Sequence, residues 1–172
     1  HVPMDVLKKM HDLGLTNIGV PAEYGGQGLD NFTRYTVVDE LGQRDAGIAT
    51  TVVASALLAT DPVMVGANDE QKKWWFGRML EGAMCGFCLT EPGAGSDALG
   101  MSTKCTKDGN DWILNGTKQF ITNGGFAKQF TVFATVDRAL GNKGICCFMV
   151  DRDFPGVIIG KKEEKLGIRT TS

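Results

Sequence analysis

Two hydrophobic periods divide the chain. From Pro3 to Gly82 apolar residues recur at helical spacing. In PMDVLKKMHDLG, Val6, Leu7, Met10 and Leu13 fall on one predicted helix face, between a proline start signal and Gly14 as the stop. The turn-rich PAEYGGQGLD, 21–30, predicts a loop, and NFTRYTVVDELG resumes helical spacing with Tyr35, Val38 and Leu41. GIATTVVASALLA, from Gly47 to Ala59, is apolar on nearly every side and predicts a central, buried helix. Asp61 and Pro62 punctuate the chain. NDEQKKWWFGRMLEG then combines a capping residue, an acidic first turn and Trp75, Phe76, Met79 and Leu80 on one face, which predicts a further helix.

After Gly82 the period shortens to that of strands. MSTKCTK, DWILN, TKQFIT, FTVFATV, GICCFMV and GVIIG are short apolar or alternating runs between turn signals. Asp108-Gly109 and Asn115-Gly116 predict two hairpin turns of the type that needs positive φ at both central residues. The fold class is therefore α+β: an all-helical domain over residues 1–82, then a mostly antiparallel, barrel-like or sandwich β domain over 83–172.

Composition narrows the function. At 172 residues, 42% apolar and 22% charged, with a net charge of −2, the chain can bury a core and lacks the basic stripe of a nucleic-acid binder. The apolar run of 13 residues at Gly47 to Ala59 is shorter than the roughly 20 a membrane span needs. No secretory leader pattern is visible, and five cysteines without one point to free thiols. Cys85 and Cys88 form a CxxC, but at i and i+3 of a strand they face opposite sides and cannot share a zinc ion or a disulfide. The Trp74-Trp75 pair reads as core packing, His11 as a surface or half-buried helix residue, and KKEEK, 161–165, as a solvated charge cluster.

One segment reads as chemistry. TEPGAGSDALG, 90–100, follows the apolar MCGFCL and places three glycines and the hydroxyls of Thr90 and Ser96 at a strand end. Glycines there let backbone N–H groups converge on an anion, because no Cβ keeps a phosphate at a distance. The loop is neither a Walker loop nor a GxGxxG helix opening, and alone it could equally be a connecting turn. Glu91 and Asp97 would repel a pyrophosphate and are expected to bond backbone or a cap instead.

TEPGAGSD, then WILNGTKQFITNGG, then FPGVIIGKKEEKLGIRTTS, together with LGLTNIGVPAEYGGQGLD, the DEL of the second helix and NDEQKKWWFGRMLEG, resemble in order and spacing the acyl-CoA dehydrogenase family. The resemblance covers essentially the whole chain. It implies a flavoenzyme with an N-terminal helical domain, a middle β domain and a C-terminal helical domain, usually a homotetramer, of which this chain supplies most of the first and the second. The family's glutamate base lies in the third, beyond Ser172, so no catalytic residue is assigned here.

The resemblance also assigns a cofactor, FAD, to Phe87, Cys88, Leu89, Thr90, Gly93, Gly95 and Ser96, with Leu89 main chain and the Thr90 hydroxyl at the flavin's pyrimidine end. Phe120, Ile121 and Thr122 match the family's aromatic-Ile-Thr segment beside the isoalloxazine. Where relatives often carry Trp, Phe120 keeps a π face and loses the indole N–H. Ser96 also matches an acyl-CoA contact, and Thr171 stands where many relatives have a serine near CoA. The implied reaction is α,β-dehydrogenation of an acyl-CoA to a trans-2-enoyl-CoA, with electrons leaving to an electron-transfer flavoprotein. An acyl-CoA oxidase, or a non-catalytic flavin- or acyl-CoA-binding module, is the alternative. The implied location is cytoplasmic in a bacterium and the mitochondrial matrix in a eukaryote. No metal, nucleic-acid or membrane-spanning role is expected.

Overall fold

The first helix of the computed structural model, α1 (Met4–Asp12), buries Leu7 and Met10 and ends where Gly14 turns left-handed at φ 77°. The amide of Leu15 reaches back to the Met10 carbonyl at 2.8 Å, closing the helix end. Val6 and Leu13, expected on the buried face, are exposed; Leu13 lies beyond the helix end and so leaves its face. Residues 2–171 are the ones the structure describes.

Helix α2 (Asn31–Gly42) starts at Asp30, whose carboxylate accepts from the Thr33 amide at 2.9 Å. None of its residues is fully buried, and Tyr35 points outward, because the helix leans on the core through Val37, Val38 and Leu41 alone. Helix α3 (Ala46–Val53), capped by Asp45, is the central buried helix that the sequence predicts. It runs directly into a π-helical turn, Ala54–Leu58, and after Thr60 into α4 (Asp61–Gly66), with Pro62 in the first turn, where its missing N–H costs nothing. The whole helical run Ala46–Gly66 has 21 residues, enough length and apolar character to cross a membrane, yet most of it packs inside this chain's own core. Helix α5 (Asp69–Leu80) opens with a reciprocal capping box between Asn68 and Gln71. Trp75 and Phe76 are fully buried, while Trp74 stays half exposed under the Arg78 guanidinium, 4.9 Å from its ring centre.

Five strands form one sheet: β1 (Cys85–Cys88), β2 (Lys104–Asp108), β3 (Asp111–Asn115), β4 (Gln129–Thr135) and β5 (Ile145–Asp151). Strand β4 is its axis. Its full length pairs antiparallel with β5, while its other edge takes β1 in parallel register, Cys85 opposite Gln129, and then β2 at Thr135. β2 and β3 form an antiparallel hairpin.

Three expectations fail in instructive ways. The hairpin turn is Gly109-Asn110 rather than Asp108-Gly109, with positive φ at the glycine only. Asn115-Gly116 makes no hairpin. Gly116 is needed for close approach, since a Cβ there would stand 2.6 Å from the Thr103 Cα. TKQFIT and GVIIG are not strands. The first is broken by Phe120 at φ 58°, and the second leaves the sheet after β5 through turns at Phe154 and Val157, so that Ile158 ends exposed.

The two cysteines of the CxxC do face opposite ways. Cys85 joins the helical core with Trp75 and Met79, whereas Cys88 joins Ala127 and Phe130 on the other side of the sheet. Burial pushes both thiols up to about 12. β1 is thus shared between the helical core and the sheet.

Candidate functional site

The site is built from the end of β1 and from the irregular segment 117–125. β1 is held from the helical side by Ser55 of the π-helical turn, whose hydroxyl oxygen accepts the Cys85 amide at 2.8 Å. On its free edge, Asn123 donates its side-chain amide to the Cys85 carbonyl at 3.1 Å and to the Thr51 carbonyl of α3 at 2.9 Å. Asn123 is fully buried at φ 70°, a backbone conformation that asparagine tolerates better than most residues. At Gly86 a Cβ would crowd the Phe130 ring at 2.7 Å and touch Ile121 at 3.4 Å, so glycine lets 121–123 lie against the strand.

Beyond Cys88 the two segments join directly. The Gln119 amide donates to the Thr90 carbonyl at 2.9 Å. The Lys118 ammonium donates to the Leu89 carbonyl at 3.0 Å and to Glu91 at 2.8 Å. The structure therefore brings Phe87–Thr90 and Phe120–Thr122 side by side. Phe120, in the left-handed region, holds its ring outward with 68% of the residue exposed. The Phe87 ring is half-buried, edge-on to Phe133 at 5.2 Å. Thr90 and Thr122 are half-buried, and neither hydroxyl bonds another described residue.

Glu91 bonds backbone as expected, and more besides. Its carboxylate accepts from the Ser102 amide at 2.6 Å, the Ser102 hydroxyl at 2.7 Å, the Thr103 amide at 3.0 Å and Lys118. Burial alone pushes its pKa up, but Lys118 and the Ser102 and Thr103 donors outweigh burial and hold it far below the usual carboxylate range. In the rest of the loop Gly93, Gly95, Ser96 and Asp97 are exposed while Ala94 is buried, and a Cβ at either glycine would meet open space.

Thr171 sits elsewhere. It is buried, its hydroxyl donates to the Ile168 carbonyl at 3.1 Å, and the Lys165 ammonium contacts its oxygen. The adjoining Thr170 donates to Asp45 at 3.0 Å, docking this segment on the N-terminus of α3. Lys161 to Glu164 are solvated, as the sequence predicts. His11 is half-buried, within the expected range, and its ring bridges the Thr16 hydroxyl and the Leu80 carbonyl, both at 3.1 Å, pinning α1 to the end of α5.

Lys118, Gln119 and Asn123 escaped the sequence reading. Lys118 and Gln119 lie in TKQFIT, which reads as a strand, and Asn123 in the glycine turn after it; only the irregular backbone turns them onto β1.

Two family models match in succession: the acyl-CoA dehydrogenase N-terminal domain over residues 1–83 and the acyl-CoA dehydrogenase middle domain over residues 86–172. This chain belongs to the acyl-CoA dehydrogenase family. It is 42% identical over 171 residues to the human mitochondrial short-chain specific acyl-CoA dehydrogenase, covering 99% of this chain and 42% of that protein. Among solved structures it matches butyryl-CoA dehydrogenase from Megasphaera elsdenii at 37% identity and TM-score 0.89, covering 97% of this chain and 45% of that one. It also matches an acyl-CoA dehydrogenase complexed with FAD from Bacillus anthracis at 35% identity and TM-score 0.87, covering 98% of this chain and 29% of that one. The chain thus spans less than half the length of these relatives. The helical part followed by a mixed sheet is the fold of the acyl-CoA dehydrogenase family, as the sequence resemblance implies.

Proposed function

We propose that the protein is an FAD-dependent acyl-CoA dehydrogenase that forms a trans-2-enoyl-CoA and passes electrons to an electron-transfer flavoprotein. The observation that carries this reading is the junction of Phe87–Thr90 with Phe120–Thr122 through the Gln119 amide and Lys118, in a chain of this family. FAD supplies the two-electron acceptor when bound.

The residues present fit that group. Phe120 offers an exposed π face, and Thr90 and Thr122 offer hydroxyls that no described residue occupies. Gly93 and Gly95 leave open space for a pyrophosphate beside Ser96. Cys88, Leu89 and Ile121 supply backbone and apolar wall. Ser96 is the proposed acyl-CoA contact; Thr171, expected beside CoA, is buried with its hydroxyl on the Ile168 carbonyl and is not offered to a ligand here.

Glu91 is not the base for the thioester's α-proton. Four donors occupy it, and a carboxylate with so low a pKa takes protons poorly at neutral pH. The base is assigned to the part of the protein outside residues 1–172, and a homotetramer is the proposed assembly. The relatives' names span short-chain and medium-chain enzymes, and the titration across chain lengths distinguishes them. The mitochondrial matrix is the proposed compartment if the source is a eukaryote.

The test is anaerobic titration of the protein, expressed from its complete reading frame with FAD, against acyl-CoA esters from butyryl to octanoyl. Bleaching of the flavin by at least one ester, with electrons transferred to an electron-transfer flavoprotein, is the expected result. Peroxide formed in step with substrate in air assigns an oxidase instead, and a flavin that no ester bleaches overturns the enzyme reading.

A further inference from the structure

Lys118 and Glu91 are the most buried ion pair among the described residues, with side chains 9% and 1% exposed. As a device for stability alone such a pair is poor, since desolvating both charges cancels most of their attraction and apolar residues of similar size often serve as well. Its location is informative. Through Glu91 and Lys118, three separate stretches meet at one point: the end of the β1 segment at Leu89, the Ser102-Thr103 backbone leading into β2, and the start of the 118–123 segment.

We propose that Lys118 and Glu91 are positioning residues for the flavin: a clamp that sets the spacing between the Thr90 hydroxyl and the Phe120–Thr122 segment. The proposal rests on the flavin reading above. Neither residue touches the reacting atoms in it. The ammonium has one proton on Leu89 and one on Glu91, and the next amide along the chain, that of Gln119, completes the junction at Thr90. Directly after that bond the backbone enters the left-handed conformation at Phe120. A bulky residue holds that conformation only where its flanks are fixed, and here Gln119 fixes one flank and Asn123 the other. Glu91 cancels the lysine's charge, so the pair contributes geometry to the site rather than net charge.

The experiment compares the complete protein with Lys118→Met, Lys118→Arg and the double variant Glu91→Gln/Lys118→Met. It reads FAD affinity, the visible flavin spectrum and melting temperature without FAD. Lys118→Met leaves a buried carboxylate without its cation, and both stability and FAD affinity fall, the latter roughly 10- to 100-fold for a lost charge-assisted bond. The double variant removes both charges, and the carboxamide oxygen that replaces the carboxylate still accepts one backbone amide. Its melting temperature returns toward the parent's, while FAD binding stays weakened and the flavin band stays shifted.

That split marks positioning, because a merely structural pair moves stability and flavin binding together. A double variant with the parent's melting temperature, FAD affinity and spectrum overturns the clamp. If the double variant does not fold, Lys118→Arg is decisive. It keeps the charge but changes the donor geometry, so weaker FAD binding with a shifted band supports the clamp and parental values overturn it. A parent protein that binds no FAD overturns the flavin reading and the clamp together, whereas a flavin-loaded parent with unchanged variants overturns the clamp alone.

Discussion

Phe120 shows what a single backbone angle can decide: at φ 58° its ring is turned out of the sheet and left exposed, where an extended residue would have continued a strand. Its neighbour Thr122 tests the proposed chemistry. Thr122→Val keeps the shape and removes the hydroxyl, so the flavin's reduction by acyl-CoA slows roughly 100-fold while the fold is retained, as for one lost donor to developing charge; stopped-flow absorbance reads this. Glu91 tests the electrostatics. Its folded pKa is lowered, so it contributes stability that is fully present above the ordinary carboxylate value of about 4.3 and is lost as pH falls below it toward the folded pKa. The stability gap between the parent and Glu91→Gln is therefore widest near neutrality and closes on acidification below about pH 5. Thermal melts of both proteins across that range check the sign.

Among the elements, the π-helical turn Ala54–Leu58 is the junction of the fold. It presents Ser55 to β1, and the backbone of Gly19 lies closely against Ala56. A Cβ at Gly19 would stand 1.8 Å from the Ala56 carbonyl oxygen, and that backbone cannot move aside without disturbing Ser55 and β1. Gly19→Ala is expected to cost about 3 kcal/mol, the upper end of overpacking, measured by urea unfolding. Gly66→Ala, where nothing lies within 4 Å of the added Cβ, is the control and stays near the parent. Elements with strong local signals, such as α5 with its capping box, were legible residue by residue. Those defined by an absent partner were not: TKQFIT and GVIIG have the composition of strands, but a strand exists only where a neighbouring edge accepts its amides, and composition does not report that edge.

At the scale of the whole molecule, the helices and the sheet share β1 and are tied again by an Arg78–Asp151 ion pair and by Gln129, which donates to the Trp75 carbonyl at 3.1 Å. A polypeptide of residues 1–172 is nevertheless expected to show no acyl-CoA dehydrogenase turnover with a dye acceptor and excess FAD, because Glu91 is locked in hydrogen bonds and the base is proposed to lie outside these residues. Turnover at a substantial fraction of the complete protein's rate would place the base within these residues. The sequence by itself determined the change of period after Gly82, the capped helices and the family, because periodicity, caps and ordered motifs are local properties of the chain. Only the tertiary structure decided that Lys118, Gln119 and Asn123 hold the two proposed flavin segments together. Their roles depend on carbonyls at Leu89, Thr90, Cys85 and Thr51, from 29 to 72 residues away in sequence, and no local pattern encodes which carbonyl a folded chain will bring within reach.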